Sequence, residues 1–133
     1  MTVVVSGFLR RVLVLDAAIS GATALLFLFA ARMLAPLLSL AEGLLRYSAV
    51  ALVPFVIYVG LLAGRATVSR GAVSAIIAMN LAWVVASFWL LVGRMVQPNT
   101  LGYVFVIVQA LAVALFAEMQ YVGLRRADAR AAA

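Results

Sequence analysis

Four apolar stretches, Val12 to Ala31, Tyr47 to Gly64, Gly71 to Val92 and Leu101 to Leu124, fill most of this 133-residue chain. Each is about long enough to cross a ~30 Å hydrocarbon core as a helix. In hydrocarbon every backbone polar group must be paired within the protein, which leaves helices or a closed barrel, and the alternating ~10-residue strands of a barrel are missing here. The pattern therefore predicts an all-α polytopic membrane protein with four transmembrane helices in an up-down bundle. Composition points the same way: 68% of the residues are hydrophobic and 11% charged, far from the ~25% charged of an ordinary soluble domain. The pieces left between the stretches are too short to bury a core of their own, so residues 1–133 form a single membrane domain.

The net charge of +6 comes from ten basic residues, every one an Arg, placed in ones and twos at the ends of the apolar stretches. No basic stripe interleaved with aromatics appears, so no nucleic-acid partner is expected. Arg10 and Arg11 precede the first span, Arg65 and Arg70 lie between the second and third, and Arg125, Arg126 and Arg130 follow the fourth. Only Arg32, Arg46 and Arg94 fall on the other side. The positive-inside rule then places both termini and the middle loop in the cytoplasm. The first stretch, at about 20 residues, exceeds the 7–15-residue core of a signal peptide and is expected to stay as a helix. Ten Arg without a single Lys, together with abundant Ala, suggest a GC-rich bacterial genome, and hence a bacterial inner (plasma) membrane.

The chain has no Cys and no His. That removes thiol nucleophiles, Cys-ligated metal centres, the usual haem ligand and the usual general base. No cofactor, metal site or catalytic set is expected from the remaining residues, whose only carboxylates are Asp16, Glu42, Glu118 and Asp128.

Several local expectations follow. The segment from Arg32 to Arg46 reads as the one long external loop, rich enough in Leu to form an interfacial helix, with Glu42 and Arg46 at i,i+4 spacing. Pro54 removes a backbone hydrogen bond from the second span, which is tolerated where neighbouring helices repair it and so points to the bundle interior. Tyr47, Trp89, Tyr103 and Tyr121 fall near span ends as an aromatic belt. The segments from Arg32 to Pro36 and from Arg94 to Pro98, 62 positions apart, share three residues in five, which would fit duplication of a two-helix unit.

Polar groups inside spans are costly and mark functional candidates. Here the candidate intramembrane polar site comprises Asp16, Ser20, Thr23, Asn80, Ser87, Gln109 and Glu118. Asp16, Ser20 and Thr23 lie on one face of the first span. Asp16 and Glu118 both lie a few residues inside the cytoplasmic end, so they pair with nearby Arg at the interface, share a site for a proton or cation, or make plain packing hydrogen bonds. Asn80 and Gln109 stand at similar depth from opposite sides and are expected to hydrogen-bond each other. Gln109, Ala112, Phe116 and Gln120 form one stripe of the fourth span, and Glu118 with Tyr121 another, which suggests that this helix contacts its own bundle on one face and a second protomer on the other.

The run from Asn80 to Ser87, with Gly102, Phe105, Gln109 and the segment from Glu118 to Arg126, resembles a group of small, uncharacterised bacterial four-helix integral membrane proteins. That resemblance implies a fold and no activity. A small multidrug-resistance transporter would carry a Glu in mid-helix of the first span, where this chain has Asp16 near one end. A fluoride channel would bring a Gly-rich first helix and a Phe-rich third, which are lacking. The residues thus favour a non-enzymatic membrane component, surrounded by lipid and associating with itself or with a larger complex. The alternative is a small oligomeric transporter or channel for a proton-coupled or cationic solute. Water discriminates them: a polar stripe along a continuous hydrated path means transport, and polar groups sealed against one another mean a structural component.

Overall fold

A computed structural model describes residues 1–132. Four helices dominate it: α1 (Gly7–Leu38), α2 (Glu42–Ala63), α3 (Arg70–Val92) and α4 (Thr100–Ala132). All four are long and apolar enough to cross a membrane, and they run up and down in an all-α bundle. α1 packs against α2 and α4, and α4 against α3, whereas α2 and α3 barely touch. The outer surface is apolar, with Phe29 84%, Val92 82% and Tyr47 79% exposed. An apolar exterior of this extent is what a lipid-facing surface requires.

The helices outrun the apolar stretches. α1 begins at Gly7 because Ser6 caps it, its hydroxyl accepting from the Leu9 N–H at 3.2 Å. It continues to Leu38 through Pro36, and Ser39 ends it in the left-handed region at φ 53°. The expected long loop from Arg32 to Arg46 is therefore absent. Its first half is α1, its second half opens α2, and only Ser39 to Ala41 connect them. Glu42 and Arg46 do pair, at 2.8 Å, in the first turn of α2. Pro54 lies within the continuous α2 but on its exposed face, not toward the bundle interior. The two similar segments differ in conformation, since Arg32 to Pro36 is helical and Arg94 turns at φ 54° after α3 has ended.

The end bearing the termini is closed by a feature that the apolar pattern does not announce. Thr2–Val4 (β1) and Thr67–Ser69 (β2) pair antiparallel, with Val3 opposite Val68. The Val5 N–H donates to the Ala66 carbonyl at 2.9 Å, and the Arg70 N–H to the Met1 carbonyl at 2.9 Å. Arg10 donates to the carbonyls of Ala63 and Arg65, at 2.8 and 3.2 Å, and so satisfies the end of α2. Ser69 caps α3 by accepting from the Ala72 N–H. Val3, Val5 and Val68 cover a core of Leu9, Leu13, Val73, Ile76 and Leu124.

At the opposite end Asn99 joins the two helical hairpins. Its Oδ1 accepts from the Gly102 N–H at 2.8 Å, as an N-cap of α4 does. Its Nδ2 donates to the Leu37 carbonyl at 2.8 Å and its N–H to the Leu38 carbonyl at 3.2 Å. These are carbonyls at the C-terminus of α1 that have no intrahelical partner. Gly102 allows this approach, because a Cβ there would collide with the Leu38 carbonyl oxygen and the Pro98 ring.

Candidate functional site

Where α1, α3 and α4 meet, four polar side chains close on one another. Asp16 and Gln120 are fully buried, Asn80 is 3% exposed and Ser20 8%. Asn80 uses both hydrogens of its amide, donating to Asp16 Oδ2 at 2.8 Å and to Gln120 Oε1 at 2.9 Å. Gln120 Nε2 donates to the same Asp16 Oδ2 at 2.6 Å, completing a three-helix triangle. Ser20, one turn beyond Asp16 on α1, donates to Asp16 Oδ1 at 3.1 Å. Each donor meets an acceptor, and the carboxylate receives three hydrogen bonds. No Arg lies within ion-pair distance of Asp16 among the described residues.

A second polar group lies nearer the opposite end, between α3 and α4. Trp83 Nε1 donates to Gln109 Oε1 at 2.8 Å, and Gln109 Nε2 donates to Ser87 Oγ at 3.1 Å and to the Val106 carbonyl at 2.8 Å. Ser87 in turn donates to the Trp83 carbonyl at 2.8 Å. Thr23 is half-buried and donates to the Ile19 carbonyl of its own helix at 2.9 Å. Thr23 therefore joins neither group.

Asp16, Ser20 and Asn80 of the expected set thus come together, and Ser87 with Gln109 forms the second group. Asn80 does not bond Gln109. In an antiparallel pair a later residue of α4 faces an earlier residue of α3. With Gln109 opposite Ser87, the partner of Asn80 must lie two to three turns further along α4, where Gln120 stands. Glu118 does not meet Asp16 either. It is exposed on the outer face of α4 and forms no ion pair with Arg125 or Arg126. Those two Arg instead lie over aromatic rings, Arg125 at 5.8 Å from the Tyr121 centroid and Arg126 at 4.9 Å from that of Phe8. Asp16 is likewise not paired with Arg10, which is engaged by backbone carbonyls.

Gln120 and Trp83 are the members that the polar candidate set lacks. A signal for Gln120 was present: it lies as many residues inside the end of its apolar stretch as Asp16 does inside its own, on the same stripe of α4 as Gln109. For Trp83 the signal was its place between Asn80 and Ser87 on one face of α3.

Cavities adjoin these groups. One of about 190 Å³ is lined by Ser20, Leu52, Phe55, Asn80 and Trp83. A smaller one of about 80 Å³ is lined by Ser20, Thr23, Trp83 and Gln109. A third, about 140 Å³, reaches toward Leu40 and Leu45 and is bounded by Ser48, Trp83 and Ser87. Trp83 borders all three. On the other side of Asp16 the packed side chains of Leu9, Leu13, Val73, Ile76 and Leu124 fill the bundle.

Comparison with protein-family models, with curated proteins and with solved structures returned no match.

Proposed function

We propose that this protein is a non-enzymatic component of a bacterial inner membrane that associates with copies of itself through the outer face of α4. The observation that carries this reading is Glu118. The bundle turns Asp16, Asn80 and Gln120 inward onto one another, yet it presents this carboxylate outward within a membrane-spanning length of helix. A charge in that region costs about 2.5–3.5 kcal/mol at mid-bilayer on insertion scales and less toward the interface. A partner outside the chain would offset the cost.

The same face supplies a seam for that partner. Val104, Leu111, Glu118 and Arg125 recur every seven residues, with Ile107 and Tyr121 between them, and all six are exposed. That is the spacing of two helices crossing at about +20°. In a symmetric pair, Tyr121 of each copy stands one turn from Glu118 of the other and can donate to it. The transport alternative needs a continuous polar path, and the apolar plug formed by Leu9, Leu13, Val73, Ile76 and Leu124 weighs against one.

The absence of native Cys makes a direct test simple. Leu111→Cys in membranes should form a disulfide-linked dimer on mild oxidation, whereas Val85→Cys on the exposed face of α3 should not. Equal yields from the two, or none from Leu111→Cys, refute the interface.

Both termini are proposed to lie in the cytoplasm, supported by the gathering of seven Arg at the end closed by β1 and β2. A reporter fused at Ala133 that is active only outside the cytoplasm would reverse this orientation.

A further inference from the structure

We infer that the cavity between α2 and α3 is a binding site for a small organic ammonium ion with an apolar body of about one ring. The inference starts from an incomplete hydrogen-bond inventory. Both amide hydrogens of Asn80 are taken by Asp16 and Gln120, but its Oδ1 has no donor. Asn80 is 97% buried, and every fully enclosed side-chain polar atom in the bundle has a partner, so this oxygen faces the cavity that Asn80 lines. Ser20 lines the same cavity, and its one hydrogen is committed to Asp16 Oδ1. Its oxygen can therefore only accept. The two polar atoms that the cavity offers are both acceptors, and its occupant must be a donor.

Charge narrows the class. Asp16 is one hydrogen bond behind both acceptors and has no cation beside it. Asn80 and Ser20 relay the carboxylate's field to the cavity wall, and Phe55 and Trp83 add aromatic rings to which a cation is attracted. A metal ion is disfavoured by the ligand count, since two oxygens among Leu52, Phe55, Met79 and Val113 do not replace a hydration shell. An ammonium with two or three N–H donors on an apolar group fits. The volume of about 190 Å³ compares with the ~150 Å³ cavity known to admit benzene in another protein. Access is lateral, because α2 and α3 barely touch and their seam opens toward the apolar surroundings of the bundle.

The test uses purified protein in detergent micelles, with benzylammonium as the probe and toluene as its uncharged counterpart without a donor. A Trp89→Phe background leaves Trp83 as the sole tryptophan. Benzylammonium should shift Trp83 emission saturably, at a concentration at least about tenfold below toluene, the ordinary worth of one charge-assisted hydrogen bond. Asp16→Asn should bring the two probes within about threefold of each other. Ala51→Phe, which fills the cavity from α2 and replaces no member of the polar cluster, should abolish saturable binding of both. The inference is overturned if benzylammonium binds no tighter than toluene, if neither saturates, or if Ala51→Phe leaves benzylammonium binding intact. It is equally overturned if folded Asp16→Asn, checked by its helical circular dichroism, keeps the tenfold preference.

Discussion

Replacing Asn80 by Leu tests the three-helix triangle most directly, because Asn80 is its only member to donate twice. The substitution removes the donations to Asp16 Oδ2 and to Gln120 Oε1. Hydrogen bonds between membrane helices average about 0.6 kcal/mol and reach about 1.7, so the two together contribute roughly 1–3 kcal/mol. Gln120 is fully buried, and its Oε1 would be left without a donor at a further cost of about 1–3 kcal/mol. Asp16 would keep Gln120 and Ser20 as donors. The expected loss is about 2–6 kcal/mol, measured by reversible denaturation in mixed micelles with helical ellipticity as the signal. A double-mutant cycle makes the reasoning sharper. Asn80→Leu with Gln120→Leu should cost at least about 1 kcal/mol less than the sum of the single changes, because the second substitution removes the orphaned acceptor. Asn80→Leu with Gln109→Leu should be additive within about 0.5 kcal/mol, since the two belong to separate networks. Coupling between Asn80 and Gln109 that exceeds coupling between Asn80 and Gln120 would refute the triangle.

Two further outcomes are expected at the ends of the bundle. Gly102→Ala should lower stability by at least about 2 kcal/mol in the same denaturation assay, because the added Cβ must push α4 away from the Leu38 carbonyl; a neutral result would mean that this approach is not close. Asp128→Asn removes the ion pair with Arg70, 3.0 Å long but 46% and 33% exposed at its two side chains, and should cost no more than about 1 kcal/mol, less at high salt.

Apolar runs long enough to cross a bilayer leave few choices, so the four helices and their up-down order were legible in the sequence. Helix ends were not, and this displaced the site. Measured from the start of the apolar run at Val12, Asp16 reads as an interfacial residue. Measured from the true start at Gly7 it lies nine residues deep, beside Asn80, ten residues into α3. Ser6 is what extends α1, through a single hydroxyl, and hydropathy is blind to caps. The same lapse hid the strands. Thr2 to Val4 and Thr67 to Ser69 are three residues each, too short for a periodic signal, and they pair only because α1, α2 and α3 end at one level. Pairings between helices depend on register, which matching depths alone do not fix. Hence Asn80 and Gln109 were each recognisable as buried amides, whereas their separate partners were not.

The division of labour among the helices follows from where polar groups were placed. α1 contributes Asp16 and Ser20, α3 contributes Asn80, and α4 contributes Gln120, so three helices are fixed in register by directional bonds. α2 sends no side chain into that cluster. It is held along its length by apolar packing on α1 and at its ends by Arg10 on Ala63 and by Leu45 within the core of Phe27, Ala31 and Leu38. In lipid such packing has no hydrophobic driving force between helices and rests on van der Waals contact. One hydrogen bond, from the Tyr58 hydroxyl to the Ala72 carbonyl at 3.4 Å, crosses from α2 to α3, close to the end that bears the termini. Separation of α2 from α3 away from that end would therefore break no hydrogen bond between them and leave the triangle whole. The cavity onto which the free oxygen of Asn80 opens lies along this seam, so the inferred guest would enter it without dismantling the polar centre.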